Sequence, residues 1–408
     1  MNLLLSNYSK EIKGQIQITG SKSESNRLLI LQAIYPKISL QNLSNCDDTK
    51  VLQNSLKTEE KVIDIHHAGT AMRFLTAYFA QKENSEILLT GSNRMQERPI
   101  KILVEALRAL DAKIEYEKEE GFPPLKISGK RIEKNLVEID ATVSSQYITA
   151  LMLIAPSLQN GLTIQLKNKP TSVSYINMTL AFLEKLNIKT TFKENIITIK
   201  PAKNILTKIE IESDWSSASY FYSIVALSEQ AEITLSNFRE NSIQGDRVVA
   251  DYFKEFGVET TFYGNAIQLK KNRTDKLPKV FKANLISSPD LAQTIAVTCF
   301  GLKIDCHLEG LRTLKIKETD RLQALKNELG KLGAKVSITS ESIYVKASAE
   351  IKENQKIKTY QDHRMAMAFA PLSMKVPIEI EEAEVVSKSF PDFWQVLKPL
   401  GFSVKTTL

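Results

Sequence analysis

The chain has 408 residues and a formal net charge of +7, with 54 Lys and Arg residues against 47 Asp and Glu residues. The charges are interspersed, which argues against a nucleic-acid binder, where basic residues more often form blocks. Three cysteines form no CxxC pair, so neither a disulfide framework nor a zinc site is expected. The N-terminus predicts no signal peptide and no apolar run is long enough to span a membrane, so we expect a cytoplasmic protein.

The first predicted helix in chain order begins in TGSKSESNR, residues 19–27. A glycine, serines, a lysine and an arginine at the start of a helix are typical of phosphate binding. The nucleotide-binding loop GxxxxGKS/T is absent, however, so the phosphate is not expected to belong to a nucleotide. A second apolar helix, GTAMRFLTAYFA, carries Arg73 among apolar residues. A third is expected to begin at Pro99 in ERPIKILVEALRAL, directly after Glu97 and Arg98.

Two short sequence motifs then recur at intervals of about 70 residues, which indicates a repeated unit. The first motif covers the end of a helix and the start of the following strand. Its glycines suit the left-handed backbone position that follows a helix (Gly257, Gly333 and Gly401). The second opens an apolar helix with a residue that favours the N-cap position (Ser144, Asp214, Asp290 and Asp362). Each unit therefore contains a polar-capped buried helix, an amphipathic helix and a closing hairpin.

With two looser N-terminal copies, the pattern predicts six β-α-β-α-β-β units in an α/β fold. Because one hydrophobic core rarely grows this large, we expect two lobes of three units each. The lobe crossing is expected near TIKPAKNILTKIEI, residues 198–211.

The predicted helix starts share phosphate- and carboxylate-binding side chains. A helix N-terminus favours anions, and arginine binds phosphate and carboxylate in a bidentate manner. In KETDR, Glu318 and Arg321 are predicted neighbours on one helix face, with Thr319 and Asp320 as possible caps. The sequence therefore predicts a site for acidic ligands. The chain has no HExxH zinc motif and no GxSxG nucleophile motif, so a zinc protease and a serine hydrolase are not expected.

Nine stretches together carry a family resemblance: GSKSESNR, AGTAMR, LTGSNRMQERPI, SSQYITAL, DWSSASYF, SPDLAQTIAV, KETDR, DHRMAMAF and KSFPDF. In this order, from about residue 20 to residue 393, they resemble the 5-enolpyruvylshikimate-3-phosphate (EPSP) synthases. The resemblance implies an inside-out α/β barrel of two lobes, residues 21–212 and residues 1–20 with 213–408. The first lobe would mainly bind shikimate 3-phosphate, and the active site would lie in the interlobe cleft.

The resemblance also implies roles for individual residues. Shikimate 3-phosphate would be bound by Lys22, Ser23, Arg27, Ser144, Ser145, Gln146, Ser172, Tyr175, Asp290 and Lys317. Phosphoenolpyruvate would be bound by Lys22, Gly69, Arg98, Gln146, Arg321, Arg364 and Lys388. Supporting positions would be His67, Thr70, Arg73 and His363.

Proton transfer would involve three of these residues. Asp290 would lie near the attacking 5-hydroxyl of shikimate 3-phosphate, and Glu318 near the C3 methylene of phosphoenolpyruvate. Lys22 would protonate the leaving phosphate or the bridging oxygen. The resemblance implies no cofactor, no metal, no nucleic acid and no membrane, and we expect a monomer acting on small anionic substrates.

Four positions depart from the family pattern, and two other functions stay open. Gln361 stands where Asn is frequent, and Phe74 follows AGTAMR where Pro is common in some members. His67 precedes AGTAMR where Asn is frequent, which makes a phosphate contact there pH-dependent, and Thr313 stands where some members carry Asn. The first alternative is enolpyruvyl transfer to UDP-N-acetylglucosamine, which the lack of a cysteine in an arginine-rich setting disfavours. The second is a catalytically inactive relative that binds phosphate or RNA, which would show a steep salt dependence of affinity.

Overall fold

The computed structural model of the protein describes residues 1–9, 11–272 and 277–407. The chain forms two compact units. Unit 1 consists of Met1–Thr19 with Glu212–Leu408, and unit 2 of Gly20–Ile211. The two chain crossings lie one residue before the boundaries expected from the sequence. Each unit has a hydrophobic core of its own.

The strands of the described residues are short, most of them three to six residues long. They are β1 (Asn2–Ser6), β2 (Glu11–Ile16), β3 (Ile38–Gln41), β4 (Val62–Asp64), β5 (Glu86–Thr90), β6 (Lys113–Tyr116), β7 (Leu125–Ser128), β8 (Leu136–Asp140), β9 (Leu162–Lys167), β10 (Thr190–Lys193), β11 (Ile196–Ile199), β12 (Thr207–Glu210), β13 (Gln230–Ser236), β14 (Val258–Tyr263), β15 (Ala266–Lys271), β16 (Val280–Asn284), β17 (Asp305–Glu309), β18 (Lys335–Ile338), β19 (Ile343–Lys346), β20 (Gln355–Ile357), β21 (Ile378–Ile380) and β22 (Ser403–Thr407).

The helices alternate with these strands, so the predicted α/β class is confirmed. They are α1 (Lys22–Ile34), α2 (Asp47–Lys57), α3 (Gly69–Gln81), α4 (Asn93–Gln96), α5 (Lys101–Ala109), α6 (Ser145–Ile154), α7 (Val173–Lys185), α8 (Trp215–Leu227), α9 (Val249–Lys254), α10 (Ala292–Gly301), α11 (Arg321–Lys331), α12 (His363–Phe369) and α13 (Phe393–Leu397). Short 3-10 helices occupy Ala155–Ser157, Gly245–Val248, Pro289–Leu291, Arg312–Ile316, Ala370–Met374, Ala383–Lys388 and Lys398–Leu400. None of the helices described is long and apolar enough to cross a membrane.

Unit 2 contains two complete repeats and one shortened repeat. Its four-stranded sheets have the orders β4-β5-β7-β6 and β10-β11-β9-β8, each with one parallel pair and one antiparallel hairpin. The repeat that begins with α1 has only the parallel pair β12-β3. The partner of β3 in this repeat, β12, therefore comes from the C-terminal end of the unit, just before the chain returns to unit 1.

Unit 1 contains three four-stranded sheets, and the N-terminal residues complete two of them. Strand β2 runs parallel to β13 in the sheet β14-β15-β13-β2. Strand β1 pairs antiparallel with β21 and β22 in the sheet β20-β21-β1-β22. The third sheet, β16-β17-β19-β18, is contiguous in sequence.

The predicted polar-capped buried helices are present, with one correction. Ser144, Asp214 and Asp362 cap α6, α8 and α12 by accepting backbone N–H groups. Asp290 is not an N-cap, because it lies in the 3-10 turn Pro289–Leu291 ahead of α10 and its carboxylate binds cations instead. The predicted left-handed positions after helices are confirmed at Gly257, Gly333 and Gly401, with φ of +76°, +103° and +85°.

Candidate active site

Unit 1 gathers seven charged side chains, which we call the arginine cluster: Asp290, Lys317, Glu318, Arg321, Asp362, Arg364 and Lys388. They come from four places in the sequence, each about 25 to 40 residues after the one before, so only the tertiary fold brings them together. Six of them were predicted as site residues. The seventh, Asp362, was predicted only as a helix cap.

Arg321 lies at the centre of the cluster. It is the first residue of α11 and only 2% exposed. Its Nε donates to Asp362 Oδ2 at 2.6 Å, and its Nη1 to Asp290 Oδ1 at 2.9 Å. Its Nη2 donates to Glu318 Oε2 at 3.0 Å, as predicted from their spacing, and to Asp362 Oδ1 at 3.3 Å. Three carboxylates therefore fix the plane of one guanidinium.

Arg364 binds the other side of Asp290. Its Nη2 donates to Asp290 Oδ2 at 3.1 Å and to Ser216 Oγ at 3.3 Å. Its backbone N–H donates to Asp362 Oδ1 at 2.9 Å, because Asp362 caps α12. Asp290 thus bridges two arginines, one from the start of α11 and one from the start of α12.

The lysines complete the positive charge of the cluster. Lys388 Nζ is 2.9 Å from Glu318 Oε1, and Lys317 Nζ is 3.7 Å from Asp290 Oδ1. Glu318 therefore lies between Lys388 and Arg321. Both lysine side chains are mostly buried. A buried cationic group of this kind suits an anionic ligand, because buried charges need partners of opposite sign.

The charges of the cluster shift one another's pKa values. Burial alone would raise the pKa of Asp290, but Arg364, Lys317 and Arg321 hold it well below its ordinary value. Burial lowers the pKa of Lys317 despite the neighbouring Asp290. Burial also opposes the charge of Arg321, but Asp362, Glu318 and Asp290 raise its pKa. Asp290 is therefore an ionised carboxylate at neutral pH.

Asp246 is a further residue of this site that the sequence did not indicate. Ser216 Oγ donates to Asp246 Oδ2, which links the carboxylate to Arg364 through a single hydroxyl. Burial, together with the negative charge of Asp290, raises the pKa of Asp246 to about 7. Its position in a short 3-10 turn after Gln244 carries no repeat signal, so only the tertiary structure reveals it.

In unit 2, the helix α1 supplies Lys22, Ser23 and Arg27 as predicted. Lys22 Nζ is 3.3 Å from Asp48 Oδ2, an acidic partner that the sequence did not suggest. Arg27 is 3% exposed and donates to Ser23 O at 2.8 Å and to Thr179 Oγ1 at 3.0 Å. Burial lowers its pKa to about 10. The Arg27 guanidinium thus joins the start of α1 to α7.

Two aromatic rings contact the same guanidinium. The Arg27 carbon Cζ lies 5.5 Å from the centre of the Tyr175 ring and 5.7 Å from that of Phe74. Tyr175 is on the first turn of α7. Ser172, the residue directly before this helix, has a φ of +52°. Arg27, Ser172 and Tyr175, all predicted to bind shikimate 3-phosphate, therefore lie around one helix start.

Gly69 and Arg98 are in close contact. A Cβ atom at Gly69 would lie 2.4 Å from Arg98 Nη1, so the guanidinium packs directly on the start of α3. Arg98 Nε is buried, and none of the residues that the structure describes accepts a hydrogen bond from it. An orphaned buried donor on a positively charged group is the arrangement expected where a ligand anion binds.

Arg73 stabilises this contact through hydrogen bonds to two backbone carbonyl groups. Its Nη1 donates to Gly69 O at 3.2 Å and its Nη2 to Pro99 O at 2.9 Å. It therefore ties the first residue of α3 to the segment that carries Arg98. Tyr147 Oη donates to the same Pro99 carbonyl at 2.6 Å.

The start of α6 lies beside the start of α3. Gln146 Nε2 donates to Thr70 Oγ1 at 3.1 Å, and Ser144 Oγ accepts the Gln146 backbone N–H at 3.2 Å. Ser145 is buried. The predicted serine–serine–glutamine run is therefore adjacent to the Gly69 and Arg98 contact.

The remaining predicted positions differ in their exposure. His67 is exposed and its Nδ1 is 2.9 Å from Ser92 Oγ. His363 is buried, with its Nδ1 3.6 Å from Asp362 Oδ1. Thr313 Oγ1 is buried without a hydrogen-bond partner among the described residues. The ligand roles of all these residues stay predictions.

The chain is similar to known proteins in sequence and in structure. The sequence model of the EPSP synthase (3-phosphoshikimate 1-carboxyvinyltransferase) family matches residues 49–397. A 3-phosphoshikimate 1-carboxyvinyltransferase of Bacteroides fragilis strain YCH46 is 46% identical, with 99% of each chain covered. One from Colwellia psychrerythraea strain 34H is 34% identical over 97% of this chain and 99% of that one.

Solved structures show the same fold. The structure of EPSP synthase from Acinetobacter baumannii superposes with a TM-score of 0.78, at 20% identity, over 99% of this chain and 100% of that chain. The family model and the relatives each cover most or all of the sequence. This chain therefore belongs to the EPSP synthase (3-phosphoshikimate 1-carboxyvinyltransferase) family.

Proposed function

We propose that the chain transfers the 1-carboxyvinyl group of phosphoenolpyruvate to the 5-hydroxyl of shikimate 3-phosphate and releases inorganic phosphate. This is the reaction for which its full-length relatives are named. The reaction lies in the shikimate pathway, which leads to chorismate and the aromatic amino acids. The enzyme is thus a transferase of amino-acid biosynthesis.

The observation that carries the proposal is the shared contact of Arg321 and Arg364 with Asp290. Phosphoenolpyruvate presents a phosphate and a carboxylate, and a guanidinium with five donors binds such groups well. We propose that Arg321 and Arg364 bind phosphoenolpyruvate, together with Lys388. Buried carboxylates hold the two arginines in place. Their fixed orientation lowers the entropy cost of binding, since the donors are already in place.

Unit 2 supplies the other proposed contacts. Arg98 with its orphaned Nε, Gly69, Lys22 and Gln146 are proposed to bind phosphoenolpyruvate. The hydroxyl-bearing helix starts, together with the charge of Arg27, suit the phosphate and hydroxyls of shikimate 3-phosphate; these residues are Ser23, Ser144, Ser145, Ser172 and Tyr175. Asp290 and Lys317 would add contacts from unit 1.

The chemistry is an addition followed by an elimination. In the addition, the 5-oxygen bonds to C2 of phosphoenolpyruvate, the hydroxyl loses its proton and C3 gains one. In the elimination, C3 loses a proton and the C2–O bond to phosphate breaks, which restores the double bond. The tetrahedral intermediate carries both phosphates and the carboxylate, so cations that bind it more tightly than the substrates accelerate the reaction.

The cluster geometry suits the proton transfers. Asp290 stays ionised because three cations face it, so it accepts a hydrogen bond from the 5-hydroxyl. Glu318, between Arg321 and Lys388, is the proposed acid and base at C3. Lys22 is proposed to donate to the leaving phosphate. The monomeric state and the cytoplasmic location stay predictions.

Phosphate release tests the proposal directly. The protein is mixed with phosphoenolpyruvate and shikimate 3-phosphate, and in parallel with phosphoenolpyruvate and UDP-N-acetylglucosamine. We expect release only with shikimate 3-phosphate. Release with the nucleotide sugar instead, or with neither acceptor, would overturn the proposal.

A matched pair of variants tests the site. Arg98→Ala should weaken phosphoenolpyruvate binding in a calorimetric titration, because it removes the guanidinium on Gly69. Arg94→Ala is the control, since Arg94 pairs with Glu97 on the surface of the same segment. Equal affinity of the two variants would remove Arg98 from the proposed site.

A further inference from the structure

Two consecutive residues directly before the arginine cluster have an unfavourable backbone conformation. Tyr360 has φ of +53° and Gln361 has φ of +56°, and the next residue is Asp362. Residues other than glycine rarely adopt this left-handed region, which costs roughly 1 kcal/mol or more for each. Two such residues in succession persist only if surrounding contacts hold them.

The Asp362 backbone N–H closes this turn by donating to Thr359 O at 2.9 Å, and Glu328 supplies the side-chain contacts that hold it. Glu328 is 0% exposed and lies in the second half of α11. Its Oε1 accepts a hydrogen bond from Tyr360 Oη at 2.7 Å, and its Oε2 accepts the Lys358 backbone N–H at 3.0 Å. Lys331 Nζ is 2.6 Å from the same Oε2 and donates to Lys356 O at 3.0 Å. The buried carboxylate thus holds the chain on both sides of Thr359.

The same helix binds the other end of this segment. Arg321, the first residue of α11, forms the two hydrogen bonds to Asp362. Residues 358–362 are therefore attached to α11 at its start through Arg321 and in its second half through Glu328. Of the two left-handed residues, Tyr360 carries one attachment to Glu328 and Gln361 lies between Tyr360 and Asp362. Release of one attachment would let the backbone relax to a lower-energy conformation and would move Asp362.

We propose that Glu328 is a positioning residue for the arginine cluster. By binding Lys358 and Tyr360, it keeps residues 360–361 in the left-handed conformation that directs Asp362 towards Arg321 and starts α12 at the residue before Arg364. Glu328 has its carboxylate occupied by protein donors and acts through Asp362. The consequence for substrate rests on the proposed function, because Arg321 and Arg364 are the proposed ligands of phosphoenolpyruvate.

A role of Glu328 in stability alone predicts different results from a positioning role. Every loss of a buried hydrogen bond lowers the melting temperature, so stability alone does not separate the two roles. A positioning role also changes the affinity for phosphoenolpyruvate well below the melting temperature. It further predicts rescue by a residue that tolerates the left-handed region, because such a residue no longer needs the anchor.

The test uses Tyr360→Phe, which removes the hydrogen bond to Glu328 and a longer one that the hydroxyl accepts from Asn327 Nδ2 at 3.3 Å, and keeps the ring. We expect the KM for phosphoenolpyruvate to rise about five- to tenfold, with a smaller change in kcat, since the hydrogen bond that anchors Tyr360 to Glu328 is lost. In the double variant Tyr360→Phe with Gln361→Gly, KM should return to within about twofold of the Gln361→Gly value. Glu328→Gln should show the larger effect if it folds.

Tyr344→Phe is the matched control. Tyr344 Oη donates to Asp305 Oδ2 at 2.9 Å, so the same substitution breaks a tyrosine–carboxylate bond on β19. We expect no change in its KM for phosphoenolpyruvate. If Tyr360→Phe lowers only the melting temperature, like Tyr344→Phe, the positioning role is wrong. Failure of Gln361→Gly to restore KM would also overturn it.

Hydrogen exchange separates this inference from the proposed function. Amides of residues 357–364 should exchange faster in Tyr360→Phe than in the wild type, measured by mass spectrometry without substrate. Unchanged exchange would contradict the positioning role even in a protein with no turnover. Absence of phosphate release by the wild type would contradict only the proposed function.

Discussion

Arg321 and Asp362 form a bidentate ion pair, with Nε 2.6 Å from Oδ2 and Nη2 3.3 Å from Oδ1. Both side chains are almost fully buried. Asp362 also caps α12, so one carboxylate sets the position of Arg321 and the start of the helix that carries Arg364. The two arginines are therefore coupled through Asp362 as well as through Asp290.

Asp362→Ala should destabilise the protein strongly. It leaves a buried arginine with one partner fewer and removes a helix cap, and the loss of one member of a buried pair costs about 3 to 5 kcal/mol. Urea denaturation measures this change in the free energy of unfolding. Asp251→Ala is the control, because its pair with Arg247 is on the surface and should contribute less than about 1 kcal/mol. Similar losses for the two variants would contradict the central role of Asp362.

Gly69→Ala should displace Arg98 without unfolding the protein. The new Cβ would meet Arg98 Nη1 at 2.4 Å, and the far end of a flexible side chain moves more easily than the backbone. We expect the KM for phosphoenolpyruvate to rise by about tenfold, the equivalent of 1.4 kcal/mol, with little change in the KM for shikimate 3-phosphate.

Gly330→Ala is the matched glycine control. It lies in α11 with nothing within 4 Å of the added Cβ. Alanine there should stabilise the helix by about 0.5 to 1 kcal/mol and leave both KM values unchanged. An unchanged phosphoenolpyruvate KM in Gly69→Ala would show that Arg98 does not depend on this contact.

The sequence predicted local features better than long-range contacts. The caps Ser144 and Asp362 and the ion pair of Glu318 with Arg321 follow from spacing within a few residues. Asp290 looked like another cap in the repeat pattern, yet its carboxylate binds two arginines from distant segments. Ser216 with Asp246 could not be predicted, because their contact depends on how a 3-10 turn packs against α8.

The repeat count was likewise predictable, but the sharing of strands was not. Two periodic markers indicate six units, whereas β12 and the N-terminal strands each complete a sheet that begins elsewhere in the sequence. A strand of four residues, such as β12, carries too little periodicity to identify its partner. Its register is set by the tertiary fold.

Asp290→Asn should impair both catalysis and binding. Loss of a positioned proton-transfer group typically lowers kcat by about 10² to 10⁴. Because Arg321 and Arg364 also lose a charged partner, we expect the KM for phosphoenolpyruvate to rise as well. Steady-state kinetics with each substrate varied in turn measures both effects. An unchanged kcat would exclude Asp290 from proton transfer.

Asp246→Asn should change the pH dependence of stability. In the unfolded chain Asp246 ionises near 3.8, whereas burial and the charge of Asp290 raise its pKa to about 7 in the folded protein. Folding therefore takes up a proton between about pH 4 and pH 7, and this group makes the wild type less stable as the pH rises through that window. Asparagine keeps an acceptor for Ser216 but cannot ionise.

Relative to the wild type, Asp246→Asn should therefore gain about 2 to 3 kcal/mol of stability between pH 5 and pH 8. Urea denaturation of both proteins at each pH measures this difference, and contributions from groups common to the two proteins cancel. Asp251→Asn, on the surface of the neighbouring α9, should show no such gain. A difference that stays constant from pH 5 to pH 8 would mean that Asp246 is ionised throughout, and that its link through Ser216 to Arg364 is an ordinary charge-assisted hydrogen bond.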